Sequence, residues 1–167
     1  TSDAQILPTH NPGVRRRFDA VLHERGVRVH RSSGIQEVSA HAVRTRAGAW
    51  FEVDETVWVT RAGGAPWLAA TGLALDADGF VVVNEHLQSV NDARIFAAGD
   101  VASIQGRPLE KAGVFAVRMG RPLAENLRRA VLSQPLRSYR PQRRWLALIS
   151  TGDRYAVASR GALALWF

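Results

Sequence analysis

The chain of 167 residues contains no cysteine. Within these residues that excludes disulfide scaffolding, thiolate zinc sites, iron–sulfur clusters and cysteine nucleophiles. Lysine is almost absent: of 22 basic residues only Lys111 is Lys and the rest are Arg, against 15 acids. So strong an Arg bias reflects GC-rich coding more than function. No apolar run reaches about eighteen residues and no charged-then-apolar leader opens the chain, so neither a spanning helix nor a secretory signal is expected. Self-similarity at solenoid periods and low-complexity tracts are missing, which removes repeat architectures. The histidines at 10, 23, 30, 41 and 86 show no ligand spacing, and no metal site is expected from them. What remains, at 46% hydrophobic and 22% charged residues, is one medium domain or two small ones with a real core. A reducing, cytoplasmic compartment is compatible with this composition.

Charge is unevenly placed. Residues 1–100 hold 10 Arg against 12 acids, whereas residues 101–167 hold 12 basic residues against Glu110, Glu125 and Asp153. Within residues 121–144, 7 Arg face Glu125 alone. Two readings stand: a solvated Arg-rich face, or a surface turned toward lipid head groups, nucleic acid or a phosphorylated cofactor. An Arg-rich module binding nucleic acid or acidic lipid is thus one functional class to carry. Nucleic acid is the weaker form of it, because aromatic interleaving in the stretch is confined to Tyr139 and Trp145.

The order of elements reads as α/β. Apolar positions Phe18, Val21 and Leu22 recur at helical spacing over Val14 to Arg25, with Gly26 as the stop. Val27 to His30, Ile35 to Val38, His41 to Thr45 and Trp50 to Val53 read as short strands, the last two joined by the turn Arg46-Ala47-Gly48. Thr56 to Thr60 is an apolar run suited to a strand buried on both faces, emptying into the loop Arg61 to Pro66. Trp67 to Thr71 suits one helical turn, Phe80 to Val83 a strand after the turn Asp76-Ala77-Asp78-Gly79, and His86 to Ser89 a further extended piece. Arg94 to Val101 reads as a buried strand ending in small residues and one carboxylate. Residues 112–131 form a second helix, with a kink or break expected near Gly120 and Pro122. Leu146 to Ser150 and Tyr155 to Ser159 flank Thr151 to Arg154 as a hairpin, and the apolar end, Leu163 to Phe167, has the look of a cut.

The chemistry concentrates at Ile95 to Asp100. Ala98 and Gly99 allow a ligand close approach to the main chain, and Asp100 offers two acceptor oxygens to a polyol hydroxyl; a carboxylate that merely caps the following turn fits the spacing as well. Ser150 to Asp153 is explained by a turn and needs no nucleophile.

Thr60 to Pro66, Asp78 to Val83 before Leu87-Gln88-Ser89, and Arg94-Ile95-Phe96-Ala97-Ala98-Gly99-Asp100-Val101 together resemble the pyridine nucleotide-disulfide oxidoreductase superfamily of two-dinucleotide-binding-domain flavoproteins. Pro108 to Leu127 and Arg143 to Ala156 resemble, more narrowly, the type II NADH dehydrogenase-like flavoproteins of the group found fused to selenide, water dikinase. The resemblance implies a partial fold: residues 1–66 as the back half of an NAD(P)H-binding domain, 67–131 as the returning segment of an FAD-binding domain, and 132–167 as the start of a C-terminal interface region with a β-hairpin. It implies FAD as cofactor and NAD(P)H as substrate, with hydride passing from nicotinamide to flavin and electrons going on to a quinone-like or unidentified acceptor.

By the same resemblance, Gly99, Asp100 and Val101 would meet the ribityl or phosphate part of FAD. Lys111, Ala112 and Gly113 would open the helix that points at the pyrimidine edge of the flavin, where helix amides and a cation favour negative charge. Lys111 is otherwise an ordinary surface lysine. The family's two Gly-x-Gly-x-x-Gly turns are missing, so the implied partner is an N-terminal part of the same polypeptide, and the isolated piece is expected to be inactive. A cytoplasmic parent is implied, with Arg137, Arg140, Arg143 and Arg144 placed where anionic lipid at the inner face of the membrane would help. Sulfide:quinone reductase chemistry needs cysteine thiolates near the flavin, and their lack in these residues counts against it.

Overall fold

The computed structural model describes residues 1–60, 62–142 and 145–167. Its elements, in order, are α1 (Pro12–Glu24), β1 (Ile35–Val38), β2 (Ala42–Thr45), β3 (Trp50–Glu52), β4 (Val81–Val83), β5 (Ala102–Ile104), α2 (Gly113–Val131), β6 (Ala147–Gly152), β7 (Tyr155–Arg160) and β8 (Leu163–Trp166), with short 3-10 turns at Pro66–Ala70 and Gly99–Val101. They form two compact units, one from Thr1–Val59 with Arg143–Phe167 and the other Thr60–Gln142. Arg61 of the glycine-rich loop and Arg143 and Arg144 of the basic run lie outside the described residues.

In the first unit, α1 starts where Asn11-Pro12 dictates. The Asn11 side chain accepts from the Val14 amide at 3.1 Å, and Pro12 occupies the first turn, where its missing N–H costs nothing. The helix ends at Glu24, with Gly26 at φ +70° just beyond it. Val14 and Val21 form its buried face, and the helix packs on β7 and β8. Asn11 also donates to the carbonyls of Gly161 and Leu163, tying the start of the helix to the β7–β8 turn. Strands β1, β2 and β3 form the antiparallel meander expected from the Arg46-Ala47-Gly48 turn, and β6, β7 and β8 a second one. The β6–β7 connection is a two-residue loop, Asp153-Arg154, with both residues at positive φ, the twist a tight hairpin requires. The apolar end is therefore a third strand: β8 pairs with β7 from Val157↔Trp166 to Arg160↔Leu163, with Arg17 stacked over the Trp166 ring.

Two expected strands of this region are not strands. Val27 to His30 joins no ladder; the Thr1 ammonium donates to the His30 carbonyl at 2.8 Å instead. Thr56 to Thr60 is exposed irregular chain, with Val57 and Val59 more than four-fifths accessible. A strand buried on both faces needs neighbours on both edges, and none among the described residues pairs with it.

In the second unit, β4 and β5 run parallel in the register Val81↔Ala102, Val82↔Ser103, Val83↔Ile104. The core comprises Leu68, Phe80, Val81, Val83, Leu87, Ala102, Ile104, Phe115, Met119 and Tyr139. Asp76 shapes the approach to β4: its carboxylate accepts from the amides of Asp78 and Phe80, and Gly79 turns the chain at φ +83°. Gly64 lies on this turn, its amide donating to the Asp78 carbonyl, so closely that a Cβ there would overlap the Gly79 carbonyl. Arg94 to Val101 is not the expected strand; it makes one isolated bridge, Gln88↔Phe96, and then coils at Gly99. Helix α2 runs unbroken through Gly120 and Pro122 rather than ending there. Its buried face of Phe115, Met119 and Asn126 holds the helix down across the proline.

Candidate functional site

The six residues singled out in the sequence all lie in the second unit. β5 follows directly on the Gly99–Val101 turn, in which Gly99 sits at φ +72°. That turn packs against α2, and a Cβ on Gly99 would come within 3.4 Å of Ala116. The Gly99 amide donates to the Met119 sulfur at 3.1 Å, so the helix grips the turn from beneath. Asp100, on the outer side, is exposed.

Ala112 caps α2 without any side-chain hydrogen bond, and the first-turn amides of Gly113 and Val114 have no acceptor within the helix. Lys111 stands one residue before. Its ammonium donates to the Ala102 carbonyl at 2.7 Å and lies 3.8 Å from the centre of the Phe80 ring. Burial of that ammonium pulls the lysine below its ordinary value, against the opposing pull of Asp76, Asp100 and Asp78. Lys111 is therefore held within its unit, against a backbone carbonyl and an aromatic face. For Asp76, burial raises the carboxyl, but the Ser103 hydroxyl, the Phe80 and Asp78 amides and the Lys111 charge outweigh it and lower the group overall.

Asp76, Ser103 and Met119 are the site's residues that sequence reasoning missed. Asp76 was visible only as a turn former. Met119 carried a signal in being the one methionine, three residues after Ala116 on a helix expected to be amphipathic.

The site offers an exposed carboxylate for hydroxyl groups, a glycine turn without a side chain, free helix amides and a cation. This donor and acceptor set suits a ligand with a polyol tail and an anionic edge. Among the described residues no three His, Asp or Glu converge as a metal site, and no helix is long and apolar enough to cross a membrane.

A parallel strand pair fed by a glycine turn beneath the amino end of a helix is an arrangement of dinucleotide-binding α/β proteins. The family model for pyridine nucleotide-disulphide oxidoreductases matches residues 2–123, and the chain belongs to that family. Among curated proteins it is similar to ferroptosis suppressor protein 1 of Xenopus tropicalis, 24% identical over 152 residues that make up 84% of this chain and 39% of that protein. Among solved structures it is similar to the sulfide:quinone oxidoreductase of Aquifex aeolicus, with a TM-score of 0.78, 18% identity and coverage of 100% of this chain and 44% of that one. The water-forming NADH oxidase of Lactobacillus brevis gives a TM-score of 0.72 at 17% identity, over 96% of this chain and 36% of that one. The chain thus carries part of an FAD/NAD(P)-binding oxidoreductase fold and spans well under half the length of these relatives.

Proposed function

We propose that this chain supplies the C-terminal half of the nucleotide sites of an FAD-dependent NAD(P)H oxidoreductase related to the type II NADH dehydrogenases. In this reading, residues 1–66 close an NAD(P)H-binding domain, 67–131 return to the FAD-binding domain and 132–167 begin an interface region. The glycine motifs for both pyrophosphates would belong to a preceding part of the polypeptide. One observation carries the reading: the Gly99–Val101 turn packs on α2 while Lys111 folds back onto the strand that leaves the turn, all inside the family match.

When bound, the flavin supplies the redox chemistry, taking hydride from a reduced nicotinamide and passing electrons to an acceptor. The chain's own residues bind and polarise. Asp100 would accept hydrogen bonds from ribityl hydroxyls, and Gly99, having no side chain, would leave room for them. The free amides of Gly113 and Val114, with Lys111 beside them, would favour negative charge at the facing edge of the ligand. The acceptor is proposed as quinone-like, met by the intact protein at the cytoplasmic face of a membrane.

The test is the flavin content of the intact polypeptide that contains this chain. Asp100 is exposed, so Asp100→Asn and Asp100→Ala are expected to fold normally while losing bound flavin, Ala more than Asn, by about tenfold or more. Full flavin occupancy in Asp100→Ala would remove Asp100 from the site and the reading with it.

A further inference from the structure

The second unit carries another feature, away from the Gly99 turn. The last turns of α2 and the connector after it enclose a groove of about 490 Å³ lined by Arg121, Glu125, Arg128, Arg129, Gln134 and Arg137. Four arginines and a single carboxylate thus line it. Glu125 is already matched twice, its Oε1 lying 3.2 Å from Arg129 Nε and 2.8 Å from Arg137 Nη1. The side chains of Arg121 and Arg128 have no hydrogen-bond or ion-pair partner among the described residues, so the groove holds an uncompensated surplus of positive charge.

The two matched arginines are also anchored. Arg129 bonds Glu125 and, through Nη1, the Pro135 carbonyl at 3.1 Å. The backbone of Arg137 is clamped on both sides by the fully buried Asn126, whose Nδ2 donates to the Arg137 carbonyl at 2.8 Å and whose Oδ1 accepts from the Arg137 amide at 2.9 Å. A solvated charged face has no need of such anchors. Two guanidiniums paired to one carboxylate beside two unmatched ones make a receptor for a compact group with several negative oxygens.

We infer that this groove binds a polyanionic phosphate group, either a soluble polyphosphate or the phosphomonoester head of a lipid. The chemistry recognised is the same for both: fork-like guanidinium donors on non-ester phosphate oxygens, with the charge of Glu125 cancelled in advance.

Tripolyphosphate titrated calorimetrically into this chain at low ionic strength is the direct probe. Saturable binding is expected, weakened at least about tenfold in Arg121→Gln/Arg128→Gln, because each lost guanidinium removes a charge-assisted contact. Neither residue has a partner to lose, so the folded state stands, as circular dichroism would verify. Arg16→Gln/Arg160→Gln removes the same charge from residues that do not line the groove and, compared at about 0.15 M salt where screening is short-ranged, is expected to change affinity less than about twofold. Sedimentation with phosphatidic acid vesicles, measured against phosphatidylcholine vesicles, assigns the source. Vesicle binding that is displaced by tripolyphosphate and lost in the groove variant points to the lipid head; tripolyphosphate binding without vesicle binding points to the soluble ligand. The inference is overturned by absence of saturable binding, by equal losses in the two variants, or by duplex DNA binding that tripolyphosphate does not displace.

Discussion

Asn126→Ala tests how the second unit is held together. Asn126 is completely buried, and its amide makes three hydrogen bonds: Nδ2 to the carbonyls of His86 and Arg137, and Oδ1 from the Arg137 amide. Truncation leaves three backbone groups without their partner and opens a small cavity. A buried group stripped of its partner costs about 1–3 kcal/mol, but the Arg137 backbone is close enough to the surface for water to replace part of the loss. The total is therefore set at about 2–4 kcal/mol, concentrated on the connector rather than spread over the chain. Amide hydrogen exchange reads this locally. The Arg137 amide loses its acceptor, and the Tyr139 amide, bonded to the Glu85 carbonyl at 2.7 Å, loses the clamp that keeps it there. Since about 1.4 kcal/mol is a factor of ten, protection at Tyr139 should fall between about 30-fold and about 700-fold. Amides of the β6–β7 hairpin in the first unit, such as that of Val157, should be unchanged. Asn126→Asp should be worse than Ala, because a buried carboxylate would face two carbonyl oxygens. Unchanged exchange at Arg137 and Tyr139 in the Ala variant would refute the clamp.

Two further perturbations follow from the geometry. Gly64→Ala drives a Cβ into the Gly79 carbonyl and must separate the 63–64 loop from the Asp78–Gly79 turn, a loss of about 1–3 kcal/mol seen as a lower urea midpoint for the Trp67 signal; no change would mean that the two loops do not touch. Asp76 is lowered in the folded state from an ordinary value of 3.8, so it stabilises above that pH, and the contribution is lost as pH falls through the lower, folded value. Asp76→Asn should flatten the acid limb of stability for the second unit, and a limb of unchanged slope would show that the carboxylate is not held as described.

Legibility of the sequence followed the range of the forces involved. Helix α1 was readable within two residues because its signals are local: Phe18, Val21 and Leu22 at helical spacing and Gly26 beyond the last turn; the Asn11 cap and Pro12 that set its start were not read as such. The β1–β3 meander and the β6–β7 hairpin were likewise encoded in their own turns. Thr56 to Thr60 was misread because an apolar run carries no information on whether partner strands lie beside it. Arg94 to Val101 was misread for a different reason: apolar content suggested a strand, but the ring of Phe96 sits at its single bridge, and Gly99 bends the chain away from any ladder. The start of α2 was found in advance to within a residue, whereas Gly99, Asp100 and Val101 were singled out one residue at a time but as the end of a strand, and their turn was not foreseen. Nor was Asn126, because a polar residue in an amphipathic helix reads as solvent-facing; only its position eleven residues after Phe115, three helical turns along the same face, marked it as inward.

Met119, lying at 2% exposure under Gly99, is the only sulfur atom in the chain. Peroxide can reach it only when α2 lifts from the turn, so the rate at which the chain gains a single oxygen is a clock for that opening. Mass spectrometry of one intact polypeptide would then time the parting of α2 from the Gly99 turn, with no label and no competing thiol to blur the count.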